Sequence, residues 1–141
     1  MAPAFRMLPH TADAAFEVTA PSWEALVHEA TVALGEVLRP HAGEPVSRDL
    51  PLSVTGADRE DLLVAWLTQA LLAYEQHGSV PRGARLVRVE AGRLEGHLLA
   101  QPTDPRREPP DRVVKAVTYH DLRVEPGSEA SPWRAVVVLD L

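Results

Sequence analysis

The sequence predicts an α+β fold in which two main helices pack on a mixed β-sheet to form a sandwich. Two stretches in the first half have helical periodicity, and each follows a strand-like stretch. The second half contains strand-like segments without an intervening helix, which argues against a doubly wound nucleotide-binding fold. The 141 residues are 45% hydrophobic and 24% charged, as in ordinary globular proteins. We therefore expect a single domain spanning residues 1–141.

The first strand and helix are predicted from alternation followed by a capping signal. Ala14–Ala20 alternates between apolar and more polar positions, which is typical of a half-buried strand. Ser22 is a good N-cap, and apolar residues then recur at helical spacing, which predicts a helix over about Trp23–Leu38. Pro40 ends it.

A second strand and helix follow the same order. Residues 50–55 alternate, and Pro51 indicates that this strand is at a sheet edge or carries a bulge. Asp58 can cap a helix that ends at Gly78. The apolar residues of this stretch have amphipathic spacing: Leu63, Trp66, Leu67, Ala70, Leu71 and Tyr74.

The remaining chain reads mainly as strands. Arg85–Glu90 and Arg93–Ala100 predict a hairpin, and the proline-rich stretch Gln101–Arg112 predicts a solvated loop. Val113–Val124 is rich in β-branched and aromatic residues, and Trp133–Leu139 is the most apolar strand.

Composition excludes several function classes. The absence of cysteine excludes disulfides, thiolate nucleophiles and cysteine-based zinc sites. No apolar run is long enough to span a membrane and no secretory signal is visible, so we expect a cytoplasmic protein without membrane contact. A net charge of −6, from 14 basic and 20 acidic residues, argues against a protein that binds nucleic acid through its phosphates. Dinucleotide, P-loop, serine-hydrolase and H-E-x-x-H zinc motifs are also absent.

Two internal motifs could carry chemistry, although each has a plain structural interpretation. His10 and Asp13 belong to the sequence His-Thr-Ala-Asp just before the first predicted strand, where such residues can simply organise a turn. Lys115, the single lysine of the chain, and His120 lie on a later predicted strand. There they can equally be a surface cation and a hydrogen-bonded structural histidine.

The end of the chain places two negative groups side by side. Asp140 lies next to the α-carboxylate of Leu141. Such a pair favours a divalent cation with a preference for oxygen ligands, or it is simply screened by water. The residues alone support at best a cluster of oxygen ligands for a metal, and they name no reaction.

Four motifs taken together resemble the archease family. They are Leu8–Asp13, Asp61–Leu67, Val114–His120 and the chain end Val138–Leu141, in this order. The resemblance covers nearly the whole chain.

The resemblance implies an accessory protein that activates an RtcB-type RNA ligase in tRNA splicing and RNA repair. Such a protein promotes GTP-dependent guanylylation of the ligase and its multiple turnover. It is a cofactor protein rather than an enzyme, with no catalytic residue of its own. The resemblance implies that this protein interacts with RNA and GTP only indirectly, through the ligase.

The resemblance also implies a metal site. Asp13, Asp140 and Leu141 would hold Ca²⁺ or Mg²⁺, with Leu141 supplying a main-chain or terminal carboxylate oxygen. His10 would orient Asp13, while Lys115 would contact the metal, nucleotide or ligase. His120 is a further candidate for such a contact.

Two other functions remain open at this point. One is a metal-dependent phosphoesterase that acts alone through His10, Asp13 and His120. The other is a chaperone-like interaction module, in which apolar surface matters and the metal ligands do not.

Overall fold

Seven strands and two helices make up the described part of the chain. The computed structural model describes residues 3–8, 14–104, 106, 113–126 and 133–141, without the side chains of residues 119–126. The elements are β1 (Ala4–Leu8), β2 (Ala14–Ala20), α1 (Trp23–Leu38), β3 (Arg48–Thr55), α2 (Arg59–His77), β4 (Ser79–Glu90), β5 (Arg93–Pro102), β6 (Ala116–Pro126) and β7 (Trp133–Asp140).

The strands form two sheets. The first sheet has the order β1-β2-β7-β6, and the second has the order β3-β5-β4. The predicted α+β class, with two helices packed on β-structure, is confirmed. The sheet itself differs from the mixed one expected, because every strand pairing among the described residues is antiparallel. The β4–β5 hairpin inserts β5 between β3 and β4, so the crossover through α2 does not create a parallel pair.

Local signals determine where both helices begin and end. The Ser22 hydroxyl accepts a hydrogen bond from the Ala25 N–H at 3.1 Å, and α1 spans the predicted Trp23–Leu38. The Asp58 carboxylate accepts from the Asp61 N–H at 2.8 Å in the same way. Gly78 ends α2 in the left-handed conformation, with φ of 67°.

The helices lie between the two sheets and share one core with them. Helix α1 contacts β2 and β4, and α2 contacts β6 as well as β3 and β4. The fully buried Trp66 joins the helices, since its indole N–H donates to the Thr31 hydroxyl at 3.1 Å. That hydroxyl donates in turn to the Val27 carbonyl at 2.7 Å. Neither helix in the described ranges has the length and hydropathy that a membrane span requires.

Prolines mark the edges of the second sheet. Pro51 lies on edge strand β3, as predicted. Strand β4 begins at Ser79 rather than at the predicted Arg85, and it runs through Pro81 because it is the other edge. The pairing of β4 with β5 shifts register between Pro81 and Gly83, which accommodates the missing N–H.

A network of ion pairs among three residues links strands β1, β2 and β7 on the outer face of the first sheet. Glu17 on β2 accepts from Arg134 on β7 at 2.9 and 2.7 Å, and from Arg6 on β1 at 3.2 Å. These contacts, led by the hydrogen bond from Arg134, hold the pKa of Glu17 below its usual 4.5.

We expect Glu17→Gln to lower the free energy of unfolding by about 1–2 kcal/mol at pH 7. Because the folded pKa is lowered, the stabilisation is complete above pH 4.5 and is lost as the pH falls through the folded pKa. Urea titrations from pH 7 to pH 3 should therefore show wild type and variant converging in acid. The exposed Glu75, replaced by Gln, is the matched control, and a gap of constant size across this range would contradict the prediction.

Candidate metal centre at the end of the first sheet

Asp140 is the last residue of β7 and lies exposed beside the start of β6. Its Cα is paired with that of Ala116, and its carbonyl accepts a hydrogen bond from the Lys115 N–H at 2.7 Å. Lys115 is itself exposed. The strand pairing thus brings the acidic residue near the chain end together with the single lysine of the chain.

Buried neighbours hold Asp140 in position on both sides. Leu139 is fully buried between Ala14 of β2 and Val117 of β6, with which it is paired. Leu141 is half-buried and packs against the core. Because successive strand side chains point to opposite faces, burial of Leu139 turns the Asp140 carboxylate to the outer face of the sheet.

The other end of the predicted site begins where β2 begins. Ala14, the first residue of β2, is buried and paired with Leu139. His10 and Asp13 precede it in the chain and lie outside the described residues. Their part in a metal site stays a prediction.

Strand β6 has a bulge close to this end of the sheet. Thr118 is paired with Val138 and Arg123 with Val136, so that residues 119–122 lie opposite Val137 alone. His120 belongs to this bulge, and its side chain is not among those described. Bulges of this kind are common beside functional sites, and they interrupt the alternation of side chains between the two faces of a strand, here after Thr118.

The chemistry of the described donors fits a hard cation. An exposed carboxylate at Asp140, with the oxygen of Leu141 next to it in the chain, offers the ligand type that Ca²⁺ and Mg²⁺ prefer. Within residues 3–8, 14–104, 106, 113–126 and 133–141, no group of three metal-ligating side chains comes together. The described residues therefore offer only part of a ligand set, and the metal centre stays a prediction.

An aromatic cluster at the opposite end of the first sheet was not predicted. The indole rings of Trp23 and Trp133 are 6.3 Å apart, and the Arg59 guanidinium carbon lies 4.9 Å from the Trp133 ring centre and 5.9 Å from that of Trp23. These residues open α1, β7 and α2 respectively. No local pattern links them, because the pairing of β7 with β2 creates the cluster.

Comparison with known proteins identifies the family. The family model described as Archease protein family (MTH1598/TM1083) matches residues 5–141. The Protein archease of Methanopyrus kandleri is 34% identical over 137 residues, covering 95% of this chain and 96% of that relative. The Protein archease of Pyrococcus abyssi is 28% identical, and 94% of each chain is covered. The solution structure of Methanobacterium thermoautotrophicum protein 1598 superposes with a TM-score of 0.73 at 26% identity, covering 97% of this chain and 98% of that one. The chain belongs to the archease family.

Proposed function

We propose that this protein activates an RtcB-type RNA ligase by presenting a divalent cation to it. The observation that carries the proposal is the convergence of β2, β7 and β6 at one end of the first sheet. Ala14 pairs with Leu139, and Ala116 pairs with Asp140. Family membership and the relatives' names, which describe a protein and no reaction, are consistent with an accessory role.

Asp13 and Asp140 are the acidic residues proposed to meet there. Asp13 immediately precedes Ala14 in the chain, and Asp140 immediately follows Leu139. Because Ala14 and Leu139 are paired, chain connectivity supports the proposal that the two carboxylates approach each other. With an oxygen of Leu141, they would form a set of hard ligands suited to Ca²⁺ or Mg²⁺.

The protein's own residues would position this charge. The hydrogen bond from the Lys115 N–H to the Asp140 carbonyl fixes the strand end, and burial of Leu139 sets the direction of the carboxylate. The cation would supply positive charge near nucleotide phosphates during guanylylation of the ligase from GTP. Lys115 would add a second positive charge for the nucleotide or for the ligase, and His10 and His120 would support the ligands or the contact.

We expect Asp140→Asn to lower multiple-turnover ligation at least about tenfold, since loss even of groups that orient metal ligands costs 10–100-fold. The assay uses a large molar excess of RNA over an RtcB-type ligase. The RNA has 2′,3′-cyclic phosphate and 5′-hydroxyl ends, and GTP and a divalent cation are present. The product formed per ligase molecule should approach a single turnover with the variant.

Asp49→Asn is the matched control, because Asp49 is an exposed aspartate on β3 of the other sheet. Its contacts with Arg85 and His97 are both at the surface, so this variant should fold and activate like wild type. Undiminished activation by Asp140→Asn would refute the metal-presenting role. Phosphate ester hydrolysis by the purified protein without ligase would favour the phosphoesterase instead.

A further inference from the structure

A cleft beside the aromatic cluster has the chemistry of a guanidinium site. It is lined by Trp23, Ala57, Asp58, Arg59, Val89, Glu90 and Ala91. The cleft lies between the start of α1, the start of α2 and the tip of the β4–β5 hairpin. It therefore combines an indole wall and the apolar Val89 with two carboxylates.

The cleft is far from the candidate metal centre. Trp133 opens β7 and Asp140 ends it, so the two sites lie at opposite ends of one strand. Seven residue steps of an antiparallel strand span roughly 23 Å. An arginine side chain held in the cleft therefore does not touch Asp140, and variants at the two sites can be tested separately.

Arg59 already shows that these indoles accept a guanidinium. Its side chain is exposed, and its guanidinium carbon lies within 6 Å of both tryptophan ring centres. Trp23 is 6% exposed and Trp133 is half-buried, so the rings are fixed by the core while the arginine is at the surface. A stacking contact made by an exposed side chain is weak and exchangeable.

The carboxylates of the cleft give an incoming cation more than stacking. Asp58 and Glu90 are both exposed. Asp58 accepts the Asp61 N–H, and the Glu90 carboxylate lies 3.8 Å from the Arg88 side chain, which is a loose contact. Carboxylate oxygens paired in this way retain lone pairs for a guanidinium, and the net charge of −6 attracts basic partners.

We propose that this cleft docks an arginine side chain from a basic segment of a protein partner. The incoming guanidinium stacks on the Trp23 indole in place of Arg59 and pairs with Glu90 and Asp58. Arginine is preferred to lysine because its planar guanidinium stacks on aromatic rings and binds carboxylates through two N–H groups. Arg59 acts as a competitor from within the chain.

The test measures binding of a six-arginine peptide spaced with glycine and serine, and of the same peptide with lysine. Calorimetry gives affinity, and tryptophan fluorescence reports the site, since the third tryptophan, Trp66, is fully buried. We expect the arginine peptide to bind at least about threefold more tightly than the lysine peptide. Arg59→Ala should tighten arginine binding, and Glu90→Gln should weaken it at least about threefold.

Matched variants separate this site from general attraction to an acidic protein. Glu75→Gln makes the same charge change near the end of α2, outside the cleft, and Arg106→Ala matches Arg59→Ala at another exposed arginine. Both control variants should bind the arginine peptide with the affinity of the wild type. A metal chelator should leave these affinities unchanged. Equal effects of Glu90→Gln and Glu75→Gln, or equal affinity for the two peptides, would overturn the proposal.

Discussion

Replacing Gly35 by alanine is expected to destabilise the protein by at least about 3 kcal/mol. Gly35 lies inside α1, where it faces Pro81 of β4. A Cβ atom built there would stand 1.7 Å from the Pro81 carbonyl oxygen and 2.9 Å from its carbonyl carbon. Both are backbone atoms that cannot rotate away, so the helix or the strand must move.

The sign of this effect is diagnostic because helix propensity predicts the reverse. In an exposed helix interior, glycine to alanine gains about 1 kcal/mol. Thermal and urea unfolding should instead show a fall in melting temperature of roughly 10 °C. Gly92→Ala is the control, since its Cβ would meet only the Gly56 carbonyl oxygen, at 3.4 Å. A stabilised Gly35→Ala variant would show that α1 and β4 are not in this close contact.

The bounds of both helices were predictable because local interactions set them. Ser22 and Asp58 cap their own first turns, and Gly78 closes α2 through its own positive φ. The need for glycine at position 35 was not predictable. It arises from a strand that begins more than 40 residues later in the sequence.

Strands were harder to predict because their stability comes from partners distant in the sequence. Ala4–Leu8 lacks clear alternation, yet it pairs along its whole length with β2 as an edge strand. The early start of β4 was hidden by Pro81, which breaks a central strand but is tolerated at an edge. Whether a proline is allowed depends on sheet order, which no local pattern reveals.

In the candidate site too, the chemistry of single residues was predictable from the sequence, whereas contacts between distant residues were not. The chemistry of Asp140 could be predicted from its carboxylate at the chain end, but its contact with Lys115 could not, because 25 residues separate them and only the β6–β7 register joins them. Resemblance to a family supplied that link before the geometry did. Asp13 remains a prediction from the resemblance, supported by its place next to Ala14.

Gln101→Leu is expected to cost about 2–4 kcal/mol, because it leaves a buried charge poorly paired. Gln101 is 3% exposed, and its side-chain oxygen accepts from Arg82 at 2.9 and 2.8 Å. The Arg82 side chain is 4% exposed, and its contact with Glu36 is long, at 3.4 Å. Burial lowers the pKa of Arg82, against the opposing charges of Glu36 and Glu44. The Gln101 amide is thus the main partner of the Arg82 guanidinium, whose burial costs free energy.

A double variant separates loss of pairing from loss of packing. Arg82→Met removes the charge together with the need for an acceptor, so Arg82→Met/Gln101→Leu should be more stable than Gln101→Leu alone. The measurement is the urea midpoint at constant slope for wild type, both single variants and the double variant. Additive losses would mean that Arg82 reaches water or another acceptor once the amide is gone. A coupling of 1 kcal/mol or more, which is typical of residues in contact, would instead show that each buried group is tolerated because of the other.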